Sequence, residues 1–211
     1  MKTYLDELEA RYPVLKGNIP AIGELISDMI ALYRSSGTFF VAGNGGSGAD
    51  AEHICGELLK GFCRKRPLGA EDLEKLKQCG DTGSVPFGTQ LQNGLRAVSL
   101  LSHPALTTAF GNDVDADLAF AQQLWSLGRS GDIFLGISTG GNAANIRKAF
   151  ITARAKNIKT CLLTGNRHGC CEEFADIVIA VPEKETYRIQ ELHLPIYHTV
   201  CLAVEAEFFK E

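Results

Sequence analysis

The sequence predicts an α/β fold in which a parallel sheet is covered by helices on both faces. Short runs rich in Ile, Val, Leu and Phe recur along the chain, and most are separated by segments long enough for a helix. These runs lie at 38–42, 97–101, 132–137, 159–164 and 176–181. Such an alternation is typical of parallel strands that are connected by helices and buried on both faces.

Helices are also predicted at both ends of the chain. Two amphipathic helices, near 2–11 and 20–35, precede the first strand, and a segment with two prolines and a glycine separates them. The last helix, about 185–209, is long and mostly apolar, so we expect much of it to be buried. The chain of 211 residues is 45% hydrophobic, and residues 1–211 are therefore expected to form one domain with a sizeable core.

An atypical insertion at about 68–95 interrupts this alternation. It contains a short charged helix pattern followed by Gly, Pro, Thr and Asn. One hypothesis is a solvated surface excursion, and the other is a lid or an oligomer contact, since long loops in compact domains often have such roles.

Composition excludes several classes of function. With 21 Lys and Arg against 25 Asp and Glu, the net charge is −4, and no basic block is long enough to follow a nucleic-acid backbone. The amino terminus is polar and acidic, and no apolar stretch reaches the length of a membrane span. The seven cysteines lack C-x-x-C spacing, which suits a reducing compartment. We therefore expect a cytoplasmic protein that binds neither nucleic acid nor a membrane.

The stretch "GNGGSGADAEHICGE" at 43–57 follows the first predicted strand and has the glycine spacing of a dinucleotide-binding turn. Such a turn needs an acidic residue about twenty positions further on, at the end of the next strand. Here the acidic residues of that window, Glu71 and Asp72, fall inside the insertion. The dinucleotide pattern therefore fails here. The remaining arrangement of strand, glycine-rich turn and helix favours a single phosphate or a similar anion, to which Ser47 can add a hydroxyl.

A second glycine-rich loop follows the strand predicted at 132–137. It reads Ser138, Thr139, Gly140, Gly141, Asn142 and leads into another helix. Ligands of open parallel sheets bind beyond the carboxyl ends of the strands, where two such loops can converge. Each loop alone could be a tight turn, but the pair, with hydroxyls in both, indicates a phosphorylated small molecule.

Polar groups on two predicted helices are candidates for the chemistry. His53 and Glu57 are four residues apart and therefore share one helical face. Gln190, His193 and His198 lie on the otherwise apolar last helix, where either histidine could be a buried core residue or part of a site. Pro195 in that helix removes one backbone hydrogen bond and is expected to bend the axis.

The chain resembles the sugar isomerase (SIS) family, and within it the members that isomerise sedoheptulose 7-phosphate. The resemblance covers nearly the whole chain outside the insertion and rests on four stretches: "AGNGGSGADAEHICGEL", "TAFGNDV", "LGISTGGNAANI" and "RIQELHLPIYH". It implies a three-layer sandwich with a five-stranded parallel sheet, and a homotetramer with active sites between subunits. It also implies an aldose–ketose isomerase with a phosphorylated sugar as substrate and zinc as cofactor.

The same resemblance assigns roles to individual residues. Glu57 and His198 are implied as catalytic, which selects His198 over His193. The implied zinc ligands are His53, Glu57, Gln190 and His198. The implied substrate-binding residues are Asn44, Gly45, Gly46, Ser47, Asn112, Asp113, Ser138, Thr139, Asn142 and Gln190.

Three features depart from the family pattern. Gly140 and Ala143 stand where the second loop usually has hydroxyls, the insertion at 68–95 is additional, and Pro195 is unexpected. Each missing hydroxyl could remove a hydrogen bond to phosphate of about 1.5–3 kcal/mol, unless a water or a backbone amide replaces it.

An isomerase is the leading hypothesis, because Glu57, His198 and a metal ion can supply the base, the proton carrier and the positive charge that an enediolate requires. The alternatives are a non-catalytic member of the family that binds a protein partner, and a module that senses a sugar phosphate.

Overall fold

The computed structural model describes residues 2–166 and 168–210, so Met1, Arg167 and Glu211 lie outside the described residues. Its centre is a sheet of five strands, all parallel, in the order β2-β1-β3-β4-β5. The strands are β1 Phe39–Gly43, β2 Ala97–Ser99, β3 Ile133–Ile137, β4 Lys159–Gly165 and β5 Ile177–Val181. The predicted five-stranded α/β fold is confirmed, although β2 is shorter than its apolar run because the chain turns after Ser99, whose carbonyl accepts from the Ser102 amide.

Helices occupy the segments between the strands and both ends of the chain. They are α1 Lys2–Arg11, α2 Ile19–Arg34, α3 Gly46–Leu59, α4 Ala70–Gln78, α5 Pro104–Phe110, α6 Ala119–Leu127, α7 Ala144–Ala155 and α8 Thr186–Phe208. A π-helical turn follows α5 at Gly111–Asp115. The helices predicted at the two ends therefore form within two residues of the expected limits.

Alternate side chains of the strands contact two different helical layers. Phe39 and Val41 pack against α2, α3 and α8, whereas Phe40 packs against α6 and α7 on the opposite face. Every residue of β1 and β3 is buried, as expected for central strands covered on both sides. This arrangement places α3 beside α8, and both helices carry predicted site residues.

A buried ion pair joins the carboxyl-terminal ends of α3 and α8. Arg66 and Glu205 expose 0% and 1% of their side chains, and Nη2 of Arg66 lies 2.8 Å from Oε1 of Glu205. The same guanidinium donates to the carbonyls of Leu58, at 2.7 Å, and Glu57, at 3.1 Å. The pair therefore holds the last turn of α3 against α8.

The insertion at 68–95 is a folded surface excursion. None of the residues of α4 is buried, and the segment after it is folded around Asp81, whose carboxylate accepts from the amides of Phe87 and Gly88 at 2.8 Å each. At its base, Asn93 donates its side-chain amide to the Pro67 carbonyl at 2.8 Å. A role as a lid or an oligomer contact stays a prediction, as does the single-domain organisation.

Pro195 is accommodated within α8, which runs as one helix from Thr186 to Phe208. Thr199 donates its hydroxyl to the Pro195 carbonyl at 2.8 Å. His193, two residues before Pro195, is fully buried, and its Nε2 lies 3.3 Å from the Thr164 carbonyl of β4. His193 thus packs in the core, while His198 lies on the α3 side of the same helix.

We predict that the titration of His193 lowers stability in acid. Burial lowers the pKa of His193 from 6.5 to about 4, against an opposing effect of the Thr164 hydrogen bond. Below pH 6.5 the unfolded chain therefore binds a proton that the folded chain does not, so stability falls as the pH drops from 6.5 towards 4. The loss amounts to about 3 kcal/mol over that range.

Urea unfolding at several pH values measures this loss. His193→Gln keeps an amide donor for Thr164 but does not titrate, so its stability should depend less on pH between 6.5 and 4. Equal pH dependence in the two proteins would contradict the prediction.

Candidate active site

The two glycine-rich loops converge at the carboxyl ends of β1 and β3, as predicted. An amide pair connects them: Asn44 donates to Oδ1 of Asn145 and Asn145 donates to Oδ1 of Asn44, both at 2.9 Å. Gly43, Asn44 and Asn145 line a cleft of about 340 Å³, together with Thr107 and Thr108 of α5. We refer to it as the loop cleft. The pair shows that Asn145, which was not among the predicted residues, fixes the spacing of the two loops.

Three predicted substrate-binding residues of the second loop lie against β4 and the chain that follows it. Ser138 is buried, and its amide donates to the Leu163 carbonyl at 3.0 Å. The carbonyl of Thr139 accepts from the Gly165 amide at 3.1 Å. The side chain of Asn142 bonds to the protein's own backbone: it donates to the Gly140 carbonyl at 2.8 Å and accepts from the Cys170 amide at 2.9 Å. The neighbouring strand and loop thus hold the second loop in shape.

The first loop carries the other predicted phosphate contacts. Ser47 lies in the first turn of α3 and is buried, while Gly45 and Gly46 are exposed. Gln190 of α8 packs against Gly46, where an added Cβ would lie 2.5 Å from its Nε2. The structure therefore brings the side-chain amide of Gln190 to the amino-terminal end of α3, and a side chain at position 46 would displace that amide.

Asn112 and Asp113 lie on the π-helical turn after α5. Their side chains are exposed and bond to each other, with Nδ2 of Asn112 donating to Oδ1 of Asp113 at 2.9 Å. Their role as a substrate-contacting pair stays a prediction.

The two histidines and the glutamate predicted as catalytic or metal-binding meet between α3 and α8. Nε2 of His53 lies 3.1 Å from Oε1 of Glu57, and Nζ of Lys60 donates to Oε2 of Glu57 at 3.2 Å. The ring of His198 lies edge-on to the ring of His53, with 5.1 Å between their centroids. A carboxylate and two imidazoles are thus within direct reach of one another.

His198 has the properties of an unprotonated proton carrier or ligand. Its ring also contacts the rings of Phe62 and Tyr197, at centroid distances of 5.3 and 5.0 Å. Burial lowers the pKa of His198 and the charge of His53 lowers it further, against the opposing effect of Glu57. Its Nε2 is buried and has no hydrogen-bond partner among the described residues. The lowered pKa favours the neutral imidazole, and this nitrogen is a buried atom that the described residues leave without a partner.

The arrangement of His53, Glu57 and His198 can be compared with the coordination that a zinc ion requires. Within residues 2–166 and 168–210, no group of three or more His, Cys, Asp or Glu side chains is already arranged to hold a metal ion. However, two zinc bonds of about 2.0–2.1 Å at a tetrahedral angle hold their donor atoms about 3.3 Å apart. The 3.1 Å between Nε2 of His53 and Oε1 of Glu57 is close to that spacing, and the ring of His198, whose Nε2 has no hydrogen-bond partner among the described residues, lies 5.1 Å from the ring of His53. The donor types and the spacing of this one pair therefore suit a zinc ion, although the full set is not arranged around one.

Comparison with known proteins identifies the family of this chain. Residues 103–204 match the SIS domain family. A phosphoheptose isomerase of Sulfurimonas denitrificans is 38% identical over 191 residues, which cover 90% of this chain and 85% of the relative. This chain belongs to the phosphoheptose isomerase family.

Solved structures of two phosphoheptose isomerases share the fold. The protein from Francisella tularensis is 28% identical with a TM-score of 0.76, covering 96% of this chain and 95% of that chain. The protein from Neisseria gonorrhoeae is also 28% identical, with a TM-score of 0.73 and 96% of each chain covered. The resemblance to the SIS family and the aldose–ketose isomerase class are thereby confirmed, and the non-catalytic alternative is not favoured. No helix among the described residues is both long and apolar enough to cross a membrane.

We predict that the close contact between Gly141 and Gly169 fixes the shape of the second loop. A Cβ on Gly169 would lie 2.3 Å from the carbonyl of Gly141, and no side-chain rotation can relieve a clash with backbone. Gly169→Ala should therefore destabilise the protein by about 1–3 kcal/mol and raise the KM for a sugar phosphate.

The matched control is Gly140→Ala, because an added Cβ there meets nothing within 4 Å. Its unfolding free energy should stay within about 0.5 kcal/mol of wild type. Urea unfolding of both variants checks the prediction, which fails if they are equally stable.

Proposed function

We propose that this protein interconverts sedoheptulose 7-phosphate and glycero-manno-heptose 7-phosphate through an enediolate. The observation that carries the proposal is the meeting of Glu57, His53 and His198 between α3 and α8 in a chain of this family. The reaction needs a base for the C1 or C2 proton and a carrier for the proton between the two oxygens, and this site contains both kinds of group.

The phosphate would bind where the two loops meet. The hydroxyls of Ser47, Ser138 and Thr139 and the side chain of Asn142 are the proposed contacts. The amides at Asn44, Gly45 and Gly46 add donors, because the positive end of α3 begins there and favours an anion. Holding the remote phosphate positions the reacting carbons and lowers the entropic part of the barrier.

The proposed chemistry uses one residue from each of the two helices, Glu57 of α3 and His198 of α8. The Glu57 carboxylate removes the proton from the substrate carbon, while the neutral imidazole of His198 moves a proton between the oxygens. Lys60, which bonds to the second oxygen of Glu57, keeps that carboxylate oriented. The exposed pair Asn112 and Asp113 is the proposed contact to the sugar hydroxyls.

Zinc is the proposed cofactor, with His53, Glu57, Gln190 and His198 as its ligands. The support is the ligand-like spacing of His53 and Glu57 and the unpartnered Nε2 of His198. When bound, zinc supplies a Lewis acid that polarises the substrate carbonyl. Gln190, the fourth proposed ligand, packs against Gly46 at the amino-terminal end of α3.

The proposal extends to a homotetramer in the cytoplasm, with active sites between subunits. A groove of about 280 Å³ opens between α1 and α8, and His198 contributes to its wall beside Tyr4, Leu8 and Phe62. The catalytic histidine is thus reachable from the side of α1, where a neighbouring subunit could complete the site.

We predict that His53→Ala abolishes tight zinc binding. The wild-type protein should bind about one zinc per chain, and the variant loses a direct ligand. Metal content after dialysis, measured by mass spectrometry, checks this. His193→Gln is the control, because His193 is buried against β4, and it should retain zinc. Equal zinc content in His53→Ala and wild type would remove the proposed site.

We predict that Glu57→Gln loses most of its turnover. Glutamine keeps the size and one oxygen but cannot take a proton, so exchange of deuterium into C1 or C2 of the sugar phosphate should slow by a factor of about 10² to 10⁴. Proton NMR in deuterated water measures that exchange.

The control is Glu52→Gln, five residues earlier on α3, whose carboxylate accepts from the hydroxyls of Ser99 and Ser102 at 2.6 and 3.2 Å. It should exchange deuterium at close to the wild-type rate. Zinc is measured in each sample, so that lost metal is not mistaken for a lost base. A fully metallated Glu57→Gln protein with wild-type exchange would overturn the assignment, and binding of sugar phosphate without exchange by the wild-type protein would favour a sensor.

A further inference from the structure

A tyrosine outside the predicted site is hydrogen-bonded to His53, and an aspartate is hydrogen-bonded to that tyrosine. The hydroxyl oxygen of Tyr197 lies 3.1 Å from Nδ1 of His53, and the same hydroxyl donates to Oδ1 of Asp50 at 3.2 Å. Tyr197 exposes only 3% of its surface, and its ring stands edge-on to the His53 ring at 5.4 Å. Asp50 lies three residues before His53 on α3, so these two side chains share one face of the helix.

The direction of these bonds fixes the position of the imidazole proton. An ionised carboxylate only accepts hydrogen bonds, so the single hydroxyl proton of Tyr197 points to Asp50. The tyrosine oxygen can then only accept from His53, and the proton of the neutral imidazole must lie on Nδ1. In this neutral form, Nε2 consequently carries a lone pair.

That lone pair faces another acceptor. Nε2 of His53 lies 3.1 Å from Oε1 of Glu57, and two acceptors at this distance repel each other unless a cation or a proton lies between them. The arrangement therefore presents two electron-rich atoms to a cation. With the other tautomer, Nε2 would donate to Glu57 and neither atom would be available to a metal ion.

We propose that Tyr197 and Asp50 are positioning residues that keep the proton of His53 on Nδ1, so that Nε2 and Glu57 together present a cation site. This inference rests on the proposed zinc-dependent isomerase and adds to it two residues that touch neither metal nor substrate. Partners of this kind orient a ligating imidazole, and their loss typically weakens metal binding 10- to 100-fold.

The test removes one oxygen atom. Tyr197→Phe keeps the ring that packs on His53 and His198 but leaves Nδ1 without its acceptor. We expect zinc affinity, measured by competition with a chromophoric chelator, to fall about 10- to 100-fold. Tyr33→Phe is the matched control, because the Tyr33 hydroxyl is also buried and lies on α2, with its ring packed on Phe208. It should bind zinc as wild type does.

A second measurement reads the proton directly in metal-free protein. Long-range proton–nitrogen NMR spectra distinguish the two tautomers, and the His53 signals are assigned by their loss in His53→Ala. Wild type should show the Nδ1–H form, whereas Tyr197→Phe should shift His53 towards the Nε2–H form. Asp50→Ala provides a second route if Tyr197→Phe does not fold, because a hydroxyl without its acceptor can turn and donate to Nδ1.

The outcomes separate this inference from the proposed function. An unchanged His53 tautomer in both variants, or an Nε2–H form in wild type, would overturn the inference while leaving the isomerase proposal in place. A changed tautomer with unchanged zinc affinity would show that the hydrogen bonds of Asp50 and Tyr197 play no part in metal binding. It would also overturn His53 as a zinc ligand. A changed tautomer together with weakened zinc binding would support the inference.

Discussion

The ion pair between Arg66 and Glu205 links the segments from which the site is built. Glu205 accepts from the amides of Phe62 and Cys63, at 2.8 and 2.9 Å, as well as from the guanidinium of Arg66. Burial alone would raise the pKa of Glu205, but these donors outweigh it and hold the pKa below its usual value. Removing one partner from a buried pair of this kind typically costs about 3–5 kcal/mol, because the other charge remains buried without compensation.

This pair also holds the backbone that carries the proposed base. Arg66 donates to the backbone carbonyl of Glu57 itself, at 3.1 Å, so the carboxylate proposed as the base extends from a helical turn that this hydrogen bond holds in place. On the other side, Tyr197 and His198 of α8 contact His53 of α3. Because the ion pair fixes α3 and α8 to each other at one end, the side chains between the two helices keep constant distances from one another. A reaction with several proton transfers requires such fixed distances.

The insertion at 68–95 begins and ends beside this ion pair. The amide of Asn93 donates to the Arg66 carbonyl at 2.7 Å, and the amide of Leu95 donates to the Leu58 carbonyl at 2.9 Å. The end of this segment is thus hydrogen-bonded to Arg66 and to the last turn of α3, and its beginning follows Arg66 in the chain. Residues 68–95 therefore leave and rejoin the body of the protein beside the buried ion pair, while the five strands form one parallel sheet.

The sequence by itself determined the sheet, the end helices and the pairing of two glycine-rich loops, because burial of apolar runs and the needs of glycine-rich turns are local properties. It also placed His53 and Glu57 on one face of a helix through their spacing, but left His193 and His198 open until the family resemblance chose between them. Only the tertiary structure decided that His193 packs in the core and that His198 lies beside His53. The partners Asn145, Tyr197 and Asp50 were likewise invisible beforehand, because each bonds to a residue that is distant in the chain, and only folding brings such residues together.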